Sequence, residues 1–165
     1  MTIFDEVRKH GYAVRKSLDY VDPKVISYLL NFARKNKRRY VDHKRWLTHG
    51  IKFKFKYMKS FHRKFRKSIK GIFIVKRTGL LYSEENCPRQ EIHRDREYDN
   101  EEYKKDREVL LTSILAVMDN TRIMIRRKEV NLKAGEMVFF RPTTLHCGLE
   151  YKEENVRLIQ WALKV

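Results

Sequence analysis

Apolar positions change their spacing several times along the chain, and each spacing predicts a different element. Thr2 stands three residues before Asp5, a reciprocal capping pair, and Gly11 supplies a stop, so the first helix is short. Tyr12-Ala13-Val14 is β-prone. Asp22-Pro23 is a cap followed by a first-turn proline, after which Val25, Ile26, Leu29, Leu30 and Ala33 recur at three- and four-residue steps. That spacing predicts a second helix with one face on the core. Across 51–57 the alternation becomes strict, placing Phe53, Phe55 and Tyr57 on one face of a predicted strand and Lys52, Lys54 and Lys56 on the other. Met58, Phe61, Phe65 and Ile69 then return to helical spacing, with bases on the outer face.

From Gly71 onward, short β-prone segments are separated by turn residues. Strands are predicted at 72–76, 80–83, 91–94, 110–118, 121–126, 137–140, 145–150 and 157–163, with Asp119-Asn120 as a two-residue hairpin signal. The charged, apolar-poor stretch 99–108 reads as a surface loop or a short exposed helix. About eight closely spaced strands after helices predict a mostly β fold, a sandwich or jelly roll with N-terminal helices packed outside. No repeat or low-complexity linker divides the 165 residues. The expectation is a single domain, 1–165, with a helical and basic segment (1–70) and a jelly-roll core (71–165).

Composition narrows the possible functions. Hydrophobic residues make up 42% and aromatics 12%, enough for a packed core despite 36% charged residues. No apolar run approaches the roughly 20 residues of a membrane span. The first ten residues are charged by Asp5 and hold no signal-peptide core, so a soluble intracellular protein, cytoplasmic or nuclear, is expected. Cys87 and Cys147 show neither CxxC spacing nor a framework pattern and are expected to be free thiols.

The net charge of +17 is unevenly placed. Residues 34–70 carry sixteen of the 38 Lys and Arg against one acid, Asp42, whereas the rest of the chain is nearly balanced. Interleaved bases and aromatics suit a phosphate backbone and stacked bases. Arg38, Arg39, Lys52, Lys54, Lys56, Arg63, Lys64, Arg66 and Lys67 are therefore candidate contacts to nucleic acid or another polyanion. The alternative is that the aromatics are core and the bases are merely solvated.

The chemistry-bearing pattern is His93-x-Asp95 with a distant His146. In an extended chain, residues two apart point to the same side, about 7 Å apart, and can converge on one ion. Two imidazoles and one carboxylate form the facial triad of non-haem Fe(II) oxygenases, which leaves positions open for co-substrate and O₂. A His-x-Asp alone is common; its surroundings give it weight. His10, His43, His49 and His62 read as surface or packing residues. Arg157 lies in an otherwise apolar segment, Val156-Arg157-Leu158-Ile159-Gln160-Trp161, so it faces either solvent or a buried anion.

Several segments then follow one another in a telling order. They are Phe4, Gly11-Tyr12 and Val14 ahead of a helix; Tyr82 and then Gln90-Glu91-Ile92-His93-Arg94-Asp95; and Ala116-Val117-Met118-Asp119-Asn120. Gly135-Glu136-Met137-Val138-Phe139-Phe140-Arg141-Pro142, Leu145-His146-Cys147-Gly148 and Asn155-x-Arg157 complete the series. Together they resemble the 2-oxoglutarate/Fe(II) oxygenases, especially the small branch of phytanoyl-CoA hydroxylase-like and prolyl-hydroxylase-like proteins. The resemblance covers most of the chain outside 34–70. It implies a double-stranded β-helix (cupin-like jelly roll), with Fe(II) held by His93, Asp95 and His146. It also implies Arg157 on the distal carboxylate of 2-oxoglutarate, through two parallel hydrogen bonds, with Tyr82 either adding another or serving as a core tyrosine. The implied activity is hydroxylation of an unidentified substrate with O₂, converting 2-oxoglutarate to succinate and CO₂. Two departures stand out: Ile159 occupies a position where many relatives carry Ser or Thr, and the chain is short for the family. Two rival readings remain. One is a basic nucleic-acid-binding protein on a catalytically decayed oxygenase fold, and the other is a cupin-type metalloenzyme that does not use 2-oxoglutarate.

Overall fold

The computed structural model describes residues 2–15, 22–36, 39–42, 44–49, 59, 60, 63, 73–95 and 111–164. The elements are α1 (Ile3–His10), β1 (Tyr12–Arg15), α2 (Pro23–Lys35), β2 (Arg39–Asp42), β3 (Arg45–His49), β4 (Phe73–Ser83), β5 (Leu111–Ala116), β6 (Thr121–Ile125), β7 (Lys128–Leu132), β8 (Met137–Phe140), β9 (His146–Gly148) and β10 (Asn155–Lys164). The predicted strand 51–57 and the stretch 99–108 lie outside the described residues; of the predicted helix 58–69, residues 59, 60 and 63 are helical.

The helices begin and end where their caps dictate. Thr2 and Asp5 exchange backbone-to-side-chain hydrogen bonds of 3.0 and 3.2 Å, and Gly11 ends α1 at φ 87°. The Asp22 carboxylate accepts from Lys24 N at 2.8 Å, with Pro23 opening α2. α2 buries Val25, Leu29 and Ala33, while Ile26 and Leu30 are partly buried beside them.

Strands β1-β8-β5-β10-β4-β3-β2 form an antiparallel seven-stranded sheet, and β7-β6-β9 form a smaller one. Segment 87–93 runs beside β9, bridging at Cys87–Tyr151 and His93–His146, and so extends the small sheet irregularly. Alternation along the large sheet serves two cores. Leu111, Leu115, Met137, Phe139, Val156 and Leu158 face the helices. Ile114, Ala116, Val138 and Phe140 face Ile123, Ile125, Val130 and Leu132 of the small sheet. Strand β5 is consequently buried at every residue, as a strand packed on both faces must be.

Several predicted elements are redrawn. The predicted strands 72–76 and 80–83 are one strand, β4, in which Gly79 pairs with both His49 and Ile159. Asp119-Asn120 does turn, with Asn120 at φ 57°, but it carries the chain from the large sheet to the small one and makes no hairpin. The hairpin is β6–β7, turned by Arg126 at φ 49° and Arg127 at φ 65°. Left-handed pairs of this kind normally signal Asn-Gly or Asp-Gly, so β7 carries no sequence warning. The predicted strand 91–94 contracts to a single bridge at His93, and 145–150 contracts to His146–Gly148. Strands β2 and β3 pair within 39–49 of the basic stretch, ahead of the predicted strand 51–57, at positions where no strand is predicted.

Candidate active site

The chain brings His93, Asp95 and His146 together from two segments. His93 and His146 exchange backbone hydrogen bonds of 3.0 Å each, and Asp95 N donates to Pro142 O at 2.9 Å. These bonds fix the three Cα positions before any side chain is considered. Each imidazole is then oriented by its own backbone: Nδ1 lies 2.9 Å from Glu91 O in His93 and 2.8 Å from Thr144 O in His146. A carbonyl only accepts, so Nδ1 carries the proton in both rings and Nε2 is turned inward. Asp95 Oδ2 accepts from Thr112 Oγ1 at 3.1 Å and from Trp161 Nε1 at 3.3 Å. Oδ1 is left facing the imidazoles, 3.4 Å from His146 Nε2 and 4.0 Å from His93 Nε2.

Three lone-pair donors thus converge, all within 4.8 Å of one another. Donor atoms about 2 Å from an ion on one face of an octahedron lie about 3 Å apart, so closure on a cation requires shifts of less than an ångström. Burial works against the Asp95 carboxylate, yet hydrogen bonding and charge from His146 with a proton on Nε2, together with Trp161 and Thr112, hold its pKa below the ordinary value; a cation takes the place of that proton. The outer hydrogen bonds to Thr144, Glu91, Thr112 and Trp161 are the kind that orient metal ligands.

A cavity of about 150 Å³ runs from this cluster to Arg157, walled by Leu81, Ile114, Ile123, Phe140 and Ile159. Arg157, Ile159 and Trp161 share the inward face of β10. The guanidinium is 3% exposed; Nη1 donates to Ser83 Oγ at 3.0 Å and Asn155 Oδ1 at 3.3 Å, and its carbon lies 5.1 Å from the Tyr151 ring centre. Nη2 is buried and has no partner among the described residues. Burial lowers the Arg157 pKa, the signature of a cation short of an anion. Fe(II) and 2-oxoglutarate fit this donor set: the triad offers N and O ligands on one side, and the orphaned Nη2 offers a carboxylate contact at the other end.

Tyr82 is a correction to the sequence reading. Strand parity places it on the outward face of β4, against the helices, and its hydroxyl donates to Glu154 Oε2 at 2.8 Å. Its neighbours Leu81 and Ser83 face the cavity side instead. Burial and Glu154 push the Tyr82 pKa up to about 12. Among the candidate polyanion contacts, Arg38, Lys52, Lys54, Lys56, Lys64, Arg66 and Lys67 lie outside the described residues. Arg39 begins β2 and Arg63 is exposed. Cys87 and Cys147 form no disulfide among the described residues, as expected, and both are buried. No helix among the described residues is long and apolar enough to cross a membrane.

Sequence reasoning missed a clamp beside the cavity. Arg45, fully buried, pairs with Asp42 at 3.1 Å and donates to Leu149 O at 3.3 Å and to Pro88 O. Gln90 spans from Asp42 Oδ2 to Gly148 N, 3.0 Å on each side. A Cβ on Gly148 would stand 2.8 Å from Gln90 Oε1, so glycine keeps this passage open. The available signal was Asp42, the one acid in 34–70.

No protein-family profile matches the chain, and no curated protein sequence matches it. Solved structures do. A viral collagen prolyl hydroxylase from Paramecium Bursaria Chlorella virus-1, in its 2-oxoglutarate complex, superposes with a TM-score of 0.71 at 15% identity, covering 96% of this chain and 98% of that one. A Pseudomonas putida prolyl-4-hydroxylase gives 0.66 at 14% identity, covering 99% and 97%. A Trichoplax adhaerens prolyl hydroxylase, in complex with a peptide fragment of the hypoxia inducible factor oxygen degradation domain, gives 0.72 at 9% identity, covering 99% and 88%. At such identities the likeness is one of fold: the chain is built on the double-stranded β-helix of the 2-oxoglutarate/Fe(II) oxygenases.

Proposed function

We propose that this chain is an Fe(II)- and 2-oxoglutarate-dependent dioxygenase that hydroxylates an organic substrate. One observation carries the reading. A convergent His-Asp-His cluster and a buried guanidinium with an unpartnered nitrogen stand at opposite ends of one small cavity.

His93 Nε2, Asp95 Oδ1 and His146 Nε2 hold the iron, while Thr112 and Trp161 keep Oδ2 occupied so that Oδ1 points at it. Arg157 binds the distal carboxylate, with Ser83 and Asn155 holding the guanidinium plane. Leu81, Ile114 and Ile159 exclude water between the two, which strengthens both electrostatic contacts. Where relatives carry a hydroxyl, Ile159 offers none, so Ser83 on β4 is the nearest hydroxyl already bonded to the guanidinium. Bound iron and 2-oxoglutarate supply the oxidising chemistry, with O₂ consumed and succinate and CO₂ released.

The test is Fe(II)-dependent succinate formation from 2-oxoglutarate by the purified chain. Loss of activity in His93→Ala and Asp95→Ala, together with loss of 2-oxoglutarate binding in Arg157→Ala, supports the reading. Metal binding without 2-oxoglutarate turnover, in a chain indifferent to Arg157→Ala, would instead indicate a cupin-type enzyme.

A further inference from the structure

A second and larger cavity, about 520 Å³, adjoins the cluster through His146. Strand register puts it at the same end of the barrel. Ile125 pairs with His146 and Tyr12 with Phe140, so the 126–127 turn, the end of α1 and the 141–145 loop all emerge beside the candidate iron site. Arg8, Arg94, Arg126, Arg127 and Arg141 line it, and among the described residues no acid does.

These arginines differ from their counterparts elsewhere. Arg15, Arg34 and Arg122, outside the groove, pair with Glu6, Glu154 and Glu129. Among the described residues, Arg126, Arg127 and Arg141 pair with none. The groove is also built and not merely decorated. A Cβ on Gly11 would stand 2.3 Å from Arg126 Cδ, so the glycine that ends α1 also makes room for the Arg126 stem. Arg94, between the His93 and Asp95 of the cluster, donates from Nε to Thr143 O at 3.1 Å. Ile92 and Leu145, among the few large apolar residues exposed on the described surface, stand at this groove.

Resting on the oxygenase reading, we propose that this groove is the substrate channel and that it takes an acidic peptide segment, presented with its target carbon toward His146. Guanidinium forks match carboxylates in pairs, and the aliphatic Ile92 and Leu145 suit aliphatic side chains between the acids. Among the described residues the lining contains no Phe, Tyr or Trp on which bases would stack, which favours peptide over nucleic acid.

The probe is a fluorescein-labelled peptide of five Glu-Ala-Leu repeats, titrated with the full chain by anisotropy at fixed ionic strength. A matched peptide with Gln for Glu and a labelled single-stranded oligo-dT serve as comparators. Arg127→Gln/Arg141→Gln is expected to weaken binding of the Glu peptide about tenfold or more. Lys133→Gln/Lys152→Gln removes the same charge at exposed positions away from the groove lining and is expected to change it by less than about threefold. Equal losses in the two double variants would reduce the effect to net charge and overturn the proposal. Tighter oligo-dT binding that is lost in the arginine variant would overturn it in favour of nucleic acid. Binding is measured with and without Fe(II) and 2-oxoglutarate, whose own binding is followed by calorimetry. Failure of the iron reading thus shows separately from failure of the groove.

Discussion

Arg45 and Arg157 both lie buried around the same barrel, yet only one has its charge answered. Arg45 reaches a carboxylate, Asp42, and two main-chain carbonyls. Arg157 finds a hydroxyl and an amide oxygen, and its second terminal nitrogen finds no partner among the described residues. The β2–β3 clamp therefore carries its own counter-charge, so the desolvation of Arg45 is largely offset inside the fold even though its Nε has no hydrogen-bond partner among the described residues. The cavity end is unfinished in the same sense, because a buried guanidinium without an anion costs stability until a ligand supplies one. Burial alone does not separate structural from functional arginines; the presence of a counter-charge does.

Substitutions at the two positions should therefore act in opposite ways. The largest effect is expected for Arg157→Met: 2-oxoglutarate-dependent succinate formation falls by at least about 100-fold, since the distal carboxylate loses a bidentate contact. Chemical denaturation of the same variant should show stability unchanged or raised by about 1 kcal/mol, because an uncompensated buried cation is gone. A loss of several kcal/mol there would show that Arg157 is structural and erase the contrast.

Arg45→Met is the mirror case. Removing it strands the Pro88 and Leu149 carbonyls and the Asp42 carboxylate, so unfolding free energy should drop by about 3 kcal/mol in urea titrations. Next in size is ligand linkage. At 100-fold excess over Kd, 2-oxoglutarate added to the Fe(II)-loaded chain should stabilise the wild type by about 2.7 kcal/mol in thermal unfolding and leave Fe(II)-loaded Arg157→Met unshifted.

The smallest effect belongs to Tyr82, the residue the structure removes from the site. Tyr82→Phe should cost about 1 kcal/mol or less and leave the 2-oxoglutarate requirement untouched. Its raised pKa gives the sign of a pH effect. The Glu154 hydrogen bond is fully present below the ordinary tyrosine value near 10 and is lost as pH climbs through about 12. Ultraviolet titration should show a tyrosinate step near pH 12 that is missing from Tyr82→Phe.

Read from residues alone, local physics was well served. The capping pair Thr2–Asp5, the stop at Gly11 and the Asp22-Pro23 start each act within one helical turn, so the α1 and α2 boundaries were legible. The His-x-Asp spacing and the lone arginine in an apolar segment named the residues that meet at the two ends of the cavity. Four features were not legible, because each depends on which distant strand lies alongside. Tyr82 and Ser83 alternate whatever the fold, but only pairing with β10 and packing by α2 decides which of them sees Arg157. The Arg126-Arg127 turn takes left-handed angles that its own side chains do not favour, and the ladder between β6 and β7 holds them there. Arg45 and Asp42 looked like part of a solvated basic run until Pro88 and Leu149 arrived from elsewhere in the chain. The arginine groove likewise exists because α1, the β6–β7 turn and the 141–145 loop end at one rim. Short-range backbone preferences are written in neighbouring residues; faces, partners and cavities are set by long-range pairing, which no local pattern encodes.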